Sequence, residues 1–287
     1  MKPEVAWRRQ DRLGESPVWS VREQALWWVD IHRPAIMRGP LQGVADEWEL
    51  IGNVGSIGLR RGGGVVAATR HGFSAFNEVG RQQELTQPIA GLPNLRFNDG
   101  KVDARGRFWA GTVQEKRVVG LAGLYRLDPD GSCRQMVSGI TVSNGLAWSP
   151  DGRTMYLACS HARTVWAYDF DMDEGVPGAR RSFASFDTTN GVPDGATVDS
   201  AGCYWIAHFD GARLTRFTPS GTIDRVVPMP VPRPTSCAFG GPELATLYVT
   251  SARFGLDGAA LAAAPDSGSV FALRPGVGGI VEPEFGW

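Results

Sequence analysis

Four polar side chains share one register of this sequence, and their types are those that hold a hard metal ion. Asn98, Asn144 and Asp194 each lie eight residues ahead of a turn glycine, Gly106, Gly152 and Gly202 respectively. The same step back from Glu23, Gly63 and Glu243 reaches Glu15, Gly55 and Thr235. Four residues beyond each of these six positions the chain is apolar, at Trp19, Leu59, Val102, Trp148, Val198 and Phe239. Asn and Asp also open turns before strands, but turn formation does not require a shared register. If the equivalent positions converge, Glu15, Asn98, Asn144 and Asp194 crowd together, and a divalent cation taking carboxylate and amide oxygens would offset the cost.

Other chemistries have less support. The histidines, His32, His71, His161 and His208, show no HxxxH or HxH spacing, so a His-rich metal centre lacks a local signal. Cys133, Cys159, Cys203 and Cys237 form no CxxC pair and read as free, buried thiols. There is no GxSxG elbow for a serine nucleophile. The glycine run RRGGGVV from Arg60 lacks the GK[ST] ending of a phosphate loop and reads as a turn. Lys and Arg number 29 against 30 Asp and Glu, leaving no basic excess for nucleic acid.

The elements that must position the polar register are strands. One phrase recurs along the chain: an apolar run, a tight polar turn, then an aromatic-rich run. Four copies are plain, VDARGRFWAGT from Val102, WSPDGRTMYLACS from Trp148, VDSAGCYWIAHF from Val198 and WSVREQALWWVDI from Trp19. Two weaker ones, LRRGGGVVAATR from Leu59 and FGGPELATLYVTSA from Phe239, bring the count to six. Each reads as a β-hairpin, and pieces such as TVWAYDF, GLYRLDP and RLTRFTP supply further strands between copies. A period of about 40 to 50 residues with four short strands describes propeller blades. The expected fold is therefore all-β, a six-bladed β-propeller of four-stranded antiparallel blades in one domain over residues 1–287, without an amphipathic helix of useful length. The opening EVAWRR and the late SVFALRP are placed to share a blade and close the ring.

The segments LGESPVW, RFNDGKVDARGRFWAGT, SNGLAWSPDG, VPDGATVDSAG and FGGPELATLYVTSAR resemble the regucalcin and gluconolactonase family of six-bladed propellers, nearly end to end. That resemblance implies a divalent metal, calcium, zinc, manganese or iron(II), held by Glu15 of the GESP motif, Asn144 of SNG and Asp194 of PDG. It implies substrate contacts from Arg96 and Asn98 of RFNDGK, and in some members from a Glu shortly after GT. Here GTVQEKR offers Glu115, one position early, with Lys116 at the expected place. Where members often carry Asp before Ser, this chain has Cys159 before Ser160, so the pocket is altered there.

The implied activity is hydrolysis of a small sugar lactone to its aldonic acid. A metal with three protein ligands keeps open positions where the lactone carbonyl can be polarised, and Asp194, or else Glu15, can accept the proton of the attacking water. Another metal-dependent ester or organophosphate hydrolase on the same scaffold, or a non-catalytic calcium-binding propeller, are the rival readings. The expected partner is a small-molecule sugar lactone, with no nucleic acid and no membrane. A cytoplasmic monomer is the simplest setting, since the N-terminus lacks a signal-peptide apolar run and no segment is apolar enough to span a bilayer.

Overall fold

Five of the six repeats supply four strand-forming runs each and the last supplies three, and this sets the unit of the fold. In the third unit Leu95–Val102, Phe108–Gln114, Ala122–Leu127 and Cys133–Ile140 pair antiparallel in chain order. The turn between the first two closes by Gly106 N donating to Asp103 O at 2.9 Å, with Gly106 at a φ of 74°, a conformation glycine adopts without strain. The computed structural model describes residues 2–77 and 80–286. Among these residues six four-stranded sheets form a six-bladed β-propeller.

The innermost strands are Gly14–Ser20, Val54–Leu59, Leu95–Val102, Ser143–Trp148, Val192–Val198 and Pro234–Gly240. Each packs against the next, and the last against the first. Burial falls outward through each blade. Gly14–Ser20 is buried throughout, whereas the outer strand Ile223–Pro228 is exposed at all but one of its residues. Charged residues on the outer strands, such as Arg134, Arg181 and Asp224, discourage pairing of the free edges with other chains.

The expected ring closure is present. The sixth sheet takes Pro234–Gly240, Thr246–Ser251 and Val270–Leu273, and its outer strand is Glu4–Trp7, with Val5 opposite Phe271. One helix of six residues, Gly258–Ala263, interrupts this blade, capped by Asp257 accepting from Ala260 N at 2.8 Å. No helix among the described residues is long and apolar enough to cross a membrane.

The core is divided into apolar clusters shared between adjacent blades, with Trp19, Trp28, Trp109 and Trp205 fully buried. The repeated Asp of the turn phrase anchors two of these rings. Asp103 accepts from Trp109 Nε1 at 2.8 Å and from Arg107 Nε at 2.6 Å. Asp199 accepts from Trp205 Nε1 and Arg216 Nε, both at 2.8 Å.

Past Leu273 the chain crosses the far mouth of the ring. Ser200 N donates to Gly278 O at 2.9 Å, Lys101 Nζ meets Glu282 at 2.7 Å, and Phe285 N donates to Leu59 O at 2.7 Å. These partners sit at or just past the downstream ends of inner strands, opposite the end that carries the polar register.

Candidate active site

Every residue of the polar register lies at an irregularity in an innermost strand rather than in a turn ahead of it. The ladder between first and second strands slips between Glu15 and Val18, Val54 and Ser56, Phe97 and Gly100, Asn144 and Ala147, Pro193 and Ala196, and Pro234 and Cys237. A bulge re-aims the side chain it carries. Glu15, Asn98, Asn144 and Asp194 accordingly line one cavity of about 390 Å³. The other two positions do not contribute. A Cβ on Gly55 would meet Phe97 O at 2.6 Å, so the close approach of the third blade excludes a side chain there. Thr235 is fully buried and donates to Gly14 O.

One hydrogen-bonded line crosses the floor of this cavity. Arg96 Nη1 donates to Phe97 O and to Asn98 Oδ1, both at 2.9 Å. Asn98 Nδ2 donates to Ser143 O at 3.0 Å and to Asn144 Oδ1 at 2.9 Å. Asn144 Nδ2 donates to Ser160 Oγ at 2.7 Å, and Ser160 Oγ donates to Pro193 O at 2.7 Å. A guanidinium only donates and a carbonyl only accepts, so the two ends of the line fix both amide orientations. Asn144 Oδ1 keeps a second lone pair for a ligand.

The carboxylates are under strong electrostatic pressure. Burial, then the nearby Asp99, pushes Glu15 up to about 8, although Ser16 N donates to its Oε2 at 2.9 Å. Burial and the Glu15 charge raise Asp194 well above the usual carboxylate range, and the two side chains share a hydrogen bond. Asp99 is raised to about 6 by burial while accepting from Leu146 N at 3.0 Å. Burial also lowers Arg96, to about 10. Among the described residues no three His, Cys, Asp or Glu side chains are grouped to hold a metal. The set available is two carboxylates with one amide oxygen, and it fits a hard divalent cation: the buried acids are costly when ionised, all three donors are oxygen, and the cavity leaves room for further ligands.

Glu115 also lines the cavity, held by Arg70 at 3.1 Å and near Arg96 Nε at 3.8 Å. Lys116 is exposed and lies outside the lining. Thus all of Glu15, Arg96, Asn98, Glu115, Asn144 and Asp194 come together. The sequence reading missed Arg117, His32 and the apolar wall of Leu13, Phe209 and Phe254; all but Phe209, which ends the copy from Val198 and the strand Tyr204–Phe209, lie outside the repeated phrase. Asp99 was missed too, although its place beside Asn98 was a signal. The cysteines stay apart from this chemistry: none is in a disulfide, Cys159, Cys203 and Cys237 are buried, and Cys133 is partly so.

Residues 13–253 match the family described as the SMP-30/gluconolactonase/LRE-like region. The chain belongs to this family. Among members of the SMP-30/gluconolactonase family, the 6-deoxy-6-sulfogluconolactonase of Pseudomonas putida is 42% identical over 281 residues, covering 97% of this chain and 96% of its own. Regucalcin of Danio rerio is 38% identical over 285 residues, covering 98% and 97%. The structure of a calcium-binding protein, regucalcin from Agrobacterium tumefaciens, superposes with a TM-score of 0.94 at 26% identity, covering 99% and 97%. The SMP-30/gluconolactonase match spans all six ring positions, Glu15 through Thr235.

Proposed function

We propose that this protein is a metal-dependent sugar lactonase. The observation that carries the reading is the buried Glu15–Asp194 pair in the same cavity as a hydrogen-bonded line that runs from Arg96 through Asn98 and Asn144 to Ser160 and Pro193 O, next to Asp194. It is supported by the names of the gluconolactonase relatives, and the calcium-binding regucalcin structure favours calcium among the candidate ions. A divalent ion held by Glu15, Asn144 and Asp194 would supply Lewis-acid polarisation of a carbonyl and offset the buried carboxylate charge.

The chain's own residues account for the rest of the reaction. Asp194 accepts a proton from water as the water oxygen bonds to the lactone carbonyl carbon. The carbonyl-to-ring-oxygen bond then breaks, and the ring oxygen takes up a proton as the open-chain hydroxy acid forms. Arg96 keeps its Nη2 donors for sugar oxygens, and Asn98, whose two N–H groups are taken by Ser143 O and Asn144 Oδ1, offers the second lone pair of its Oδ1 to a sugar hydroxyl, both held in place by the hydrogen-bonded line. Leu13, Phe209 and Phe254 cover part of the cavity with apolar surface, which restricts water around the reacting bond.

The test is acid release from a panel of aldonolactones, with protein stripped of metal and refilled with calcium, zinc, manganese or iron(II). Metal-dependent turnover that falls by about 10²-fold or more in Asp194→Ala supports the assignment. Rates no higher than the spontaneous reaction, for every metal and lactone, would overturn it.

A further inference from the structure

Charge on the Glu115 side of the cavity is not balanced. Glu115 is the carboxylate there, and Arg70 and Arg96 already take up its charge. Arg117 lines the same cavity, and among the described residues no carboxylate lies within ion-pair distance of it. Lys116 beside it extends the same sign on the exposed rim. Arg96 and Arg117 are the only Lys or Arg side chains in the described lining, and the opposite side is largely apolar, with Leu13, Phe209 and Phe254.

Arg117 is held in place. Its backbone is left-handed, with a φ of 58°, a conformation that costs a non-glycine residue energy and persists where its surroundings enforce it. Arg117 N donates to Gln114 O at 2.8 Å, Val118 N to the Gln114 side-chain oxygen at 2.9 Å, and Glu115 N to Asn94 O at 2.8 Å. Gln114 is itself buried. The loop backbone is therefore fixed, and from it the exposed Arg117 side chain presents a cation at the cavity whose charge is felt at both Asp194 and Arg96.

We propose that the substrate is an anionic lactone, in which Arg117, with Arg96 behind it, binds a sulfonate, phosphate or carboxylate on the end of the sugar away from the reacting carbonyl. The inference rests on the lactonase reading and narrows its substrate class. A planar guanidinium fork suits such oxyanions. The sulfonate in the name of the Pseudomonas putida relative is one group of this class.

The experiment compares kcat/KM for gluconolactone with that for its 6-phospho and 6-sulfo counterparts, in the wild type and in Arg117→Glu. The wild type should favour one or both anionic lactones by about tenfold or more, and Arg117→Glu should reduce that preference by a similar factor. Raising the salt concentration should raise KM for the anionic lactone and leave that for gluconolactone in place. Equal use of charged and neutral lactones by the wild type, or a preference unchanged in Arg117→Glu, would overturn the proposal. Calorimetric binding of 6-phosphogluconate against gluconate separates it from the lactonase reading. If no lactone is hydrolysed but the charged acid binds more tightly through Arg117, the reaction is wrong and the anion site stands; equal affinities remove the anion site.

Discussion

Asn98 donates from Nδ2 to Oδ1 of Asn144 at 2.9 Å, and that single bond joins the guanidinium side of the cavity to its carboxylate side. Because Arg96 occupies Asn98 Oδ1, the amide cannot turn over without setting donor against donor. Asn98→Asp keeps the shape and removes the donor, placing a carboxylate oxygen against Asn144 Oδ1. We expect kcat/KM to fall by about tenfold to a hundredfold, the range for a lost buried hydrogen bond near a charge. Steady-state kinetics with any turned-over lactone checks this, and an unchanged value would mean that the line plays no part in orientation.

The Glu15 carboxyl gives the metal-stripped protein a distinctive pH response. Its folded value, about 8, lies above the ordinary 4.5, so its contribution is fully present below 4.5 and is lost as pH rises through about 8. Melting temperature in chelator should therefore fall from pH 6 to pH 8 by more than it does with calcium added. Glu15→Gln should flatten the chelator profile and abolish the stabilisation by calcium. Parallel profiles with and without calcium would count against a cation at this carboxylate.

His208 works in the opposite direction. Its Nδ1 lies 2.8 Å from Asn190 O and its Nε2 lies 2.8 Å from Thr215 Oγ1, so the buried ring is neutral with its proton on Nδ1. Burial pushes it down to about 4 from 6.5. The unfolded chain then binds the extra proton first, and stability falls as pH drops from about 6.5 towards about 4, by about 3 kcal/mol in total. Urea unfolding across that window should show the slope in the wild type and a shallower one in His208→Gln.

Asp199 is fully buried and accepts from Trp205 Nε1, Arg216 Nε and the backbone of Ala201 and Cys203. Asp199→Ala leaves the Trp205 indole and Arg216 Nε without their acceptor, while Arg216 Nη1 keeps Asp224 at 2.7 Å, and we expect a loss of about 2–4 kcal/mol. Chemical denaturation measures this directly. The lactonase site is elsewhere, so activity per folded molecule should be retained.

The fold was legible because each repeat states its turn openly: Asp103, Gly106 and Trp109 read as strand, turn and strand, and Asp199, Gly202 and Trp205 repeat the same phrase. The polar register was legible for the same reason, since equivalent positions in successive blades face one axis. What makes it work was not legible. The bulges at Glu15, Asn98, Asn144 and Asp194 leave no local signature, because two residues opposing one is a property of the paired strands. Arg117, His32 and Phe254 lie in connections outside the repeated phrase, so spacing could not align them. Ser160 was visible in the sequence, but its bonds to Asn144 and Pro193 depend on the meeting of two blades.

The pairing of Val5 with Phe271 also orders events during synthesis. The strand Glu4–Trp7 emerges from the ribosome ahead of every other strand described here, yet its neighbour Val270–Leu273 is translated after all the rest. Five sheets can assemble from local hairpins as the chain grows, while the earliest strand waits unpaired and available to a wrong partner. Closing the circle is thus the most non-local step and the natural rate-limiting one. A chain arrested before Val270 would expose both the waiting strand and the edge of Thr246–Ser251, making nascent fragments far more prone to aggregate than the finished ring.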